Sequence, residues 1–423
     1  MINISLINTY YRQGGAAIAC TRLWQALNES GVHTDLLNLF SEEGVNHTSF
    51  LSGRSGKLIS KYHFIKERLY FLRYERDSVS RWNFSPANTG VDVSDYPPVR
   101  FASVLHLHWI NHGFLSLKSL KKLSELNKPI VWTLHDMWLF TGGCHHSRGC
   151  ENYLVACGNC QFLKRPYPDD LSSEIFYEKQ KLLSKMKLHV VTPSKWLAER
   201  ASASGLLKDK KISVIPNPLD INLYKPSEKK LAKKSLGLSE DSKVILFMAA
   251  NVSSEYKGVT YLEQALRLLK QQNKDLSENI VLLVVGRVKN DVFKNYPVKI
   301  ICTGAVNDEQ RIISYFNASD LFLLPSLEEN LPNTIMEAMA CGTPSVAFRT
   351  GGIPDLIDHM ENGYLAEFRS AEDIKNGIST ILSDSELSKK MQINARKKVE
   401  ENYSYRIVAA KYKEIYESCL KSV

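Results

Sequence analysis

The sequence lacks any apolar run near the roughly 20 residues that a membrane-crossing helix requires. Its start, MINISLIN, lacks the basic opening and long apolar stretch of a secretory leader. A cytoplasmic protein is therefore expected, with the inner face of the cytoplasmic membrane as a candidate place of work. No Asp-x-Asp stands at a strand end, so the usual carboxylate pair for a catalytic Mg²⁺ is missing. Basic residues outnumber acidic ones, 54 to 45, yet no nucleic-acid motif accompanies them, which argues against nucleic acid as the partner. Cysteine is sparse, eight in all, but half of it is crowded into one loop.

What is present points to an ordinary globular chain, with 44% hydrophobic and 23% charged residues. At 423 residues it is too long for one core, so two domains are expected. The formal net charge of +9 suits nucleotide phosphates or the acidic face of a membrane.

Residues 2–8 read as a buried strand; Gly14 and Gly15 follow, then an amphipathic helix and a strand near 35–39. Such a βαβ opening predicts a parallel sheet. Gly14 and Gly15 let backbone amides approach a phosphate at the helix start, although a tight turn explains the same pair. More strands are predicted at 104–110, 130–134, 190–193 and 212–215, and Pro216-Asn217-Pro218 then breaks the chain. The pattern restarts with strands at 244–250, 280–285, 298–302 and 321–324, separated by helices at 259–270 and 308–317. The reading is α/β, with two doubly wound Rossmann-like domains facing each other across a cleft. The first is 1–216, with a cysteine-rich loop at 142–162, and the second is 217–403. A last helix, 404–423, carries Val408, Tyr412, Ile415 and Tyr416 near helical spacing and is expected to pack back on the first domain.

The most informative stretch is 321–355, LFLLPSLEENLPNTIMEAMACGTPSVAFRTGGIPD. Glu329 lies in the turn after a strand, and Glu337 lies in a helix that Pro332 opens and Gly342 closes. Eight positions apart, the two carboxylates can grip different parts of one ligand. Between them the N–H groups of Asn333, Thr334 and Ile335 offer an anion site at the helix start. Solvated glutamates on an ordinary βαβ unit fit the same letters, so context has to decide.

In the first half, His106, His108, His135 and Asp136 fall near the C-terminal ends of predicted strands, where open α/β sheets bind ligands. A histidine there can bond a sugar hydroxyl. Cys144, Cys150, Cys157 and Cys160 follow, and the closing Cys157-x-x-Cys160 has zinc-knuckle spacing. A structural zinc, reduced thiols and a disulfide pair all remain open. Residues 54–81 carry eight Lys/Arg against three acids, interleaved with Ile59, Tyr62, Phe64, Ile65, Leu69, Tyr70, Phe71 and Leu72. That mix suits a helix resting on anionic lipid, and equally a basic helix packed on its own domain.

Taken together, these residues resemble glycosyltransferase family 4, a large family of retaining enzymes with the two-domain GT-B fold. Glu329 and Glu337 match its Glu-x7-Glu signature, and EAMACGTP at 337–344 with Gly351-Gly352 continues the pattern. IPNPLD at 215–220 resembles the family's linker, Lys257-Gly258 its phosphate-binding lysine, and Thr133-Leu134-His135 the segment of its active-site histidine. Residues 10–17, 106–114 and 133–160 look more narrowly like colanic-acid and O-antigen type transferases of bacterial polysaccharide assembly. The resemblance implies a metal-independent, retaining transfer from a nucleoside-diphosphate sugar to a lipid-linked glycan, with no cofactor for catalysis. It implies catalytic roles for His135, Glu329 and Lys257. Donor contacts would come from Gly15, Asn251, Lys257, Arg287, Val306, Glu329, Asn333, Thr334 and Glu337. Two positions depart from the family. Asn251 stands where an arginine is common, so that Arg287 would have to supply the cation, and Leu331-Pro332 replaces Phe-Gly. An epimerase or phosphorylase of the same fold, or a non-catalytic zinc-containing scaffold, are the competing readings.

Overall fold

The apolar runs of the first half form six strands: β1 (Asn3–Tyr10), β2 (His33–Phe40), β3 (Val104–Leu107), β4 (Ile130–Thr133), β5 (Leu188–Thr192) and β6 (Lys211–Val214). The computed structural model describes residues 2–40, 54–289 and 292–421. The strands lie in the order β2-β1-β3-β4-β5-β6 and every pairing is parallel. β3 stops short of the predicted 104–110. There the N–H of Trp109 donates to the Asn8 side chain at 2.9 Å, so the ladder gives way to a loop and His108 sits just past the strand end.

The second half contributes β7 (Lys243–Asn251), β8 (Ile280–Arg287), β9 (Lys299–Cys302), β10 (Leu321–Leu324), β11 (Ser345–Phe348) and β12 (Gly363–Ala366). Their order is β12-β11-β10-β7-β8-β9, again all parallel. Read from the β9 edge, this is the order of dinucleotide-binding sheets, and its direction of growth reverses between β7 and β10. Alternate residues serve opposite faces. Val244, Leu246, Phe322 and Leu324 join one core, whereas Ile245, Phe247, Leu321 and Leu323 join another. Helices cover both faces of such a sheet, which is why its strands read as unbroken apolar runs.

Two compact units result, one of Met1–Pro218 with Val408–Val423, the other of Leu219–Ile407. The last helix, Tyr405–Lys421, brings Val408, Ala409, Tyr412 and Tyr416 into the core of the first unit. Its two buried hydroxyls both find partners: Tyr416 bonds His106 Nδ1 at 2.7 Å, and Tyr412 bonds Thr133 Oγ1 at 2.9 Å. Ile415, by contrast, stays only partly buried.

The basic stretch forms the helix Arg54–Phe71, although the side chains of Arg54 and Lys57 lie outside the described residues. Ser60, Glu67 and Phe71 face inward, with Glu67 accepting from the Gly113 N–H at 3.0 Å. Leu58, Tyr62, Ile65, Leu69 and Leu72, spaced by four and three, stay more than half exposed. Packing on its own domain therefore accounts for one face of this helix and leaves an apolar stripe on the other.

Candidate active site

In the second unit the site residues gather at the C-terminal ends of β7 and β10, where the strand order reverses and open sheets bind ligands. Two glycines let the loops meet there. Gly258, at φ 71°, passes so close to the Pro325 carbonyl that a Cβ would lie 1.8 Å from it. Gly351, at φ 55°, does the same against the Glu329 carbonyl, at 1.7 Å. The Leu327 N–H also donates to the Tyr256 carbonyl at 2.8 Å, tying the loop after β7 to the loop after β10. Lys257 is thereby set beside Glu329, with Nζ 2.5 Å from Oε1. Their side chains remain 32% and 16% exposed, so the pair contributes at most about 1 kcal/mol to stability. Stability does not account for its being there.

The helix after β10 spans Asn333–Ala340, with Pro332 as its N-cap in an extended conformation and no side-chain cap bond. This corrects the expectation that Pro332 is the first helical residue. The N–H of Ile335 donates to the Pro332 carbonyl at 3.2 Å, so the expected trio of anion donors is reduced to Asn333 and Thr334 at most. Glu337 is buried, as is the rest of the helix from Ile335 to Ala340. Asn251 and Arg287 are register partners at the ends of β7 and β8, and Arg287 Nε donates to the Ala250 carbonyl at 3.4 Å. The exposed guanidinium thus stands next to the position where the arginine is missing. Val306 lies partly buried after Gly304, whose φ of 74° and open surroundings leave space at the end of β9.

In the first unit Gly14 caps the helix Gly15–Glu29 at φ 92°, with nothing within 4 Å of where its Cβ would be, and Gly15 is exposed at the end of β1. The histidines form a row: the His106 and His108 rings are tilted with centroids 4.3 Å apart, and His108 and His135 are stacked at 5.2 Å. His108 Nδ1 and His135 Nε2 are hydrogen-bonded at 2.9 Å, and His106 Nε2 meets Thr133 Oγ1 at 2.8 Å. Burial lowers the pKa of His106 to about 3, with His135 adding a smaller push in the same direction, and lowers that of His135 to about 4 against the pull of the Asp136 carboxylate. All of this makes the row neutral at pH 7. Burial opposes ionisation of Asp136, but the His145 charge and hydrogen bond, the Trp138 N–H and His146 outweigh it and hold its carboxyl at about 2. Asp136 is clamped by His145 Nδ1 at 2.7 Å, Trp109 Nε1 at 2.8 Å and the Trp138 N–H at 2.8 Å.

Cys144, Cys150, Cys157 and Cys160 carry free thiols and line one small cavity. Among the described residues, no three or more His, Cys, Asp or Glu side chains are already arranged to hold an ion. Likewise, no helix among them is long and apolar enough to cross a membrane.

A family model for group 1 glycosyl transferases matches residues 228–398, and one for glycosyltransferase family 4 matches residues 13–223. The chain belongs to glycosyltransferase family 4. Among relatives of this transferase, an uncharacterized glycosyltransferase of Methanocaldococcus jannaschii is 26% identical over 96% of this chain and 95% of its own length. A protein of Escherichia coli K12 described as a colanic acid biosynthesis glycosyl transferase is 24% identical, covering 84% of this chain and 85% of its own. The E. coli UDP-Gal:α-D-GlcNAc-diphosphoundecaprenol α-1,3-galactosyltransferase is 29% identical over 49% of this chain and 55% of its own. Sucrose-phosphate synthase from Thermosynechococcus elongatus superposes with a TM-score of 0.70 at 18% identity, over all of both chains, which establishes the GT-B fold.

Sequence reading of this transferase missed how its supporting groups meet. The Tyr416–His106–Thr133–Tyr412 chain joins residues some 280 to 310 positions apart, beyond any local pattern. The clamp of His145 on Asp136 was hidden inside the cysteine loop, although the two lie only nine positions apart.

Proposed function

We propose that the protein is a retaining, metal-independent glycosyltransferase that moves a sugar from a nucleoside-diphosphate sugar to a lipid-linked glycan in exopolysaccharide or O-antigen assembly. The observation that carries this reading is Lys257 held on Glu329 where β7 and β10 part. An incoming diphosphate competes with Glu329 for the ammonium. As Lys257 turns to the phosphates, the carboxylate is released for the hydroxyls of the transferred sugar. Glu337 bonds the ribose, and the backbone near Val306 meets the base. Lys257, the helix start at Asn333 and Thr334, and Arg287 in place of the arginine absent at Asn251 stabilise the charge that grows on the leaving diphosphate. Gly14, with open space where a Cβ would lie, and the exposed Gly15 are the donor contacts assigned in the first unit. His135, held neutral by burial, bonds a sugar hydroxyl instead of moving a proton.

The lipid-linked acceptor is supported by the relative named for a diphosphoundecaprenol substrate. It is supported again by the exposed stripe Leu58, Tyr62, Ile65, Leu69 and Leu72, flanked by the exposed bases Lys61, Lys66 and Arg73. Apolar side chains rimmed by cations fit the interface of an anionic membrane. Incubation with a panel of nucleotide sugars and undecaprenyl-diphosphate-linked acceptors, followed by mass and anomer analysis, tests the whole. The expected product is a lengthened lipid with the donor's anomeric configuration, formed at the same rate with or without added Mg²⁺. An isomerised sugar nucleotide with unchanged lipid would overturn it.

A further inference from the structure

The transfer reaction leaves the four clustered cysteines unused. They come from two short arms of loop 142–162, yet all four line one cavity of about 20 Å³, closed by Phe84, Phe162, Gly142 and Gly158. Their spacing alone permitted zinc, free thiols or disulfides. The fold adds three observations that separate these.

One is convergence: a space of single-ion size is bordered by four sulfurs, the donor set of a tetrahedral structural zinc and too small for an iron–sulfur cluster. Another is the backbone around the sulfurs. The Gly142 N–H donates to Cys157 Sγ at 3.0 Å, and the Cys160 N–H is held by Asp170 Oδ2 at 2.8 Å. The knuckle between Cys157 and Cys160 is folded tightly, with Asn159 at φ 50° and the Asn152 side chain donating to the Gly158 carbonyl at 2.8 Å. Gly158 runs against Pro168 so closely that a Cβ would lie 2.3 Å from its carbonyl oxygen. The last observation is Lys179, 1% exposed, with Nζ on the Trp138 and Thr141 carbonyls and 3.6 Å from the centre of the Trp138 ring. Its hydrogen bonds go to carbonyl oxygens and not to a carboxylate, while Cys157, Cys144 and, more weakly, the Asp136 carboxylate are close enough to act on it electrostatically. A buried ammonium is costly without nearby negative charge, and thiolates would add to what Asp136 supplies.

We propose that Cys144, Cys150, Cys157 and Cys160 bind one zinc ion, with Lys179 as the buried counter-charge. The site requires the thiols to turn inward, because among the described residues the side chains do not yet form the ring. Each thiol passes its proton to solvent and its sulfur bonds the ion, so four neutral thiols and Zn²⁺ become a site of net charge −2, which Lys179 partly offsets. The ion then pins Cys144, and with it the adjoining His145 that clamps Asp136. Lys179 acts as a positioning group only.

Metal analysis of the full-length protein, purified without chelator, should find about one zinc per chain, released when a mercurial blocks the thiols. Exchange into Co²⁺ should give the intense sulfur-to-cobalt charge-transfer band of a tetrathiolate site. The double variant Cys157→Ser/Cys160→Ser should lose the ion; since it can fail to fold, the wild-type cobalt spectrum carries the decision. Lys179→Met should let a competing chelator remove zinc at roughly 10–100-fold lower concentration, with Lys179→Arg closer to wild type. Metal-free protein with all eight thiols free, disulfides among the four cysteines detected by mass, or iron in place of zinc would each overturn the site. Unchanged retention in Lys179→Met would overturn the counter-charge. None of these readouts depends on sugar transfer, so they stand or fall apart from the proposed reaction.

Discussion

The sheet end of the second unit presents charge, whereas that of the first suppresses it. At β7 and β10 an ammonium and a carboxylate stay partly exposed, able to exchange partners at a cost of about 1 kcal/mol or less. At β3 and β4 burial keeps the imidazoles of His106 and His135 neutral, and the Asp136 carboxylate is clamped by three donors. The first arrangement suits a ligand that arrives with charge and leaves with more of it. The second suits neutral hydroxyls, for which a fixed, uncharged hydrogen-bonding surface is the better match.

The largest effects should come from removing one group at each end. Glu329→Ala and His135→Ala should each abolish measurable transfer while circular dichroism and melting stay near wild type. Near-normal turnover in either would break the division of labour. Lys257→Ala should weaken donor binding and transition-state stabilisation together by about 2 to 4 kcal/mol, read from calorimetry with nucleoside diphosphate and from kcat/KM. A variant that keeps donor affinity would remove the charged half of the contrast.

The next prediction concerns pH. A histidine whose folded pKa is depressed contributes stability that is fully present above its unfolded value of about 6.5 and is lost as pH falls toward the folded value. His106, held at about 3, should contribute about 2 kcal/mol to the loss of stability between neutral pH and pH 5, read as the difference in that loss between wild type and His106→Gln in denaturant unfolding, with His108, His112 and His135 adding to the wild-type total. Asp136, at about 2, adds nothing in this window because both its states are ionised there. Equal stability at pH 5 and 7 would mean that the row is not neutral. The smallest effect should be on the stability of Lys257→Ala, under about 1 kcal/mol. A larger loss would make the ion pair a structural element instead of a ligand contact.

Much of this was legible in the letters. Runs such as LFLL and VILF announce strands buried on both faces, whereas Glu329, Glu337 and Lys257 stood out only through their resemblance to a family pattern, since the two glutamates alone fit an ordinary βαβ unit equally well. The start of the Asn333–Ala340 helix was misplaced by one residue, because proline suits both N-cap and first-turn positions until the backbone angles are known. In the basic helix, period could separate two faces but could not say which of two apolar surfaces is covered, since that depends on what packs above it.

The sequence by itself determined the parallel sheets through local periodicity, and the family through the resemblance of its motifs around the glutamate pair to a known pattern. Only the tertiary structure decided which groups meet across long separations: Tyr416 with His106, Lys257 with Glu329, and Lys179 beside the gathered cysteines. It also decided their protonation, since an imidazole's charge depends on how much water its surroundings exclude, and no run of letters carries that quantity.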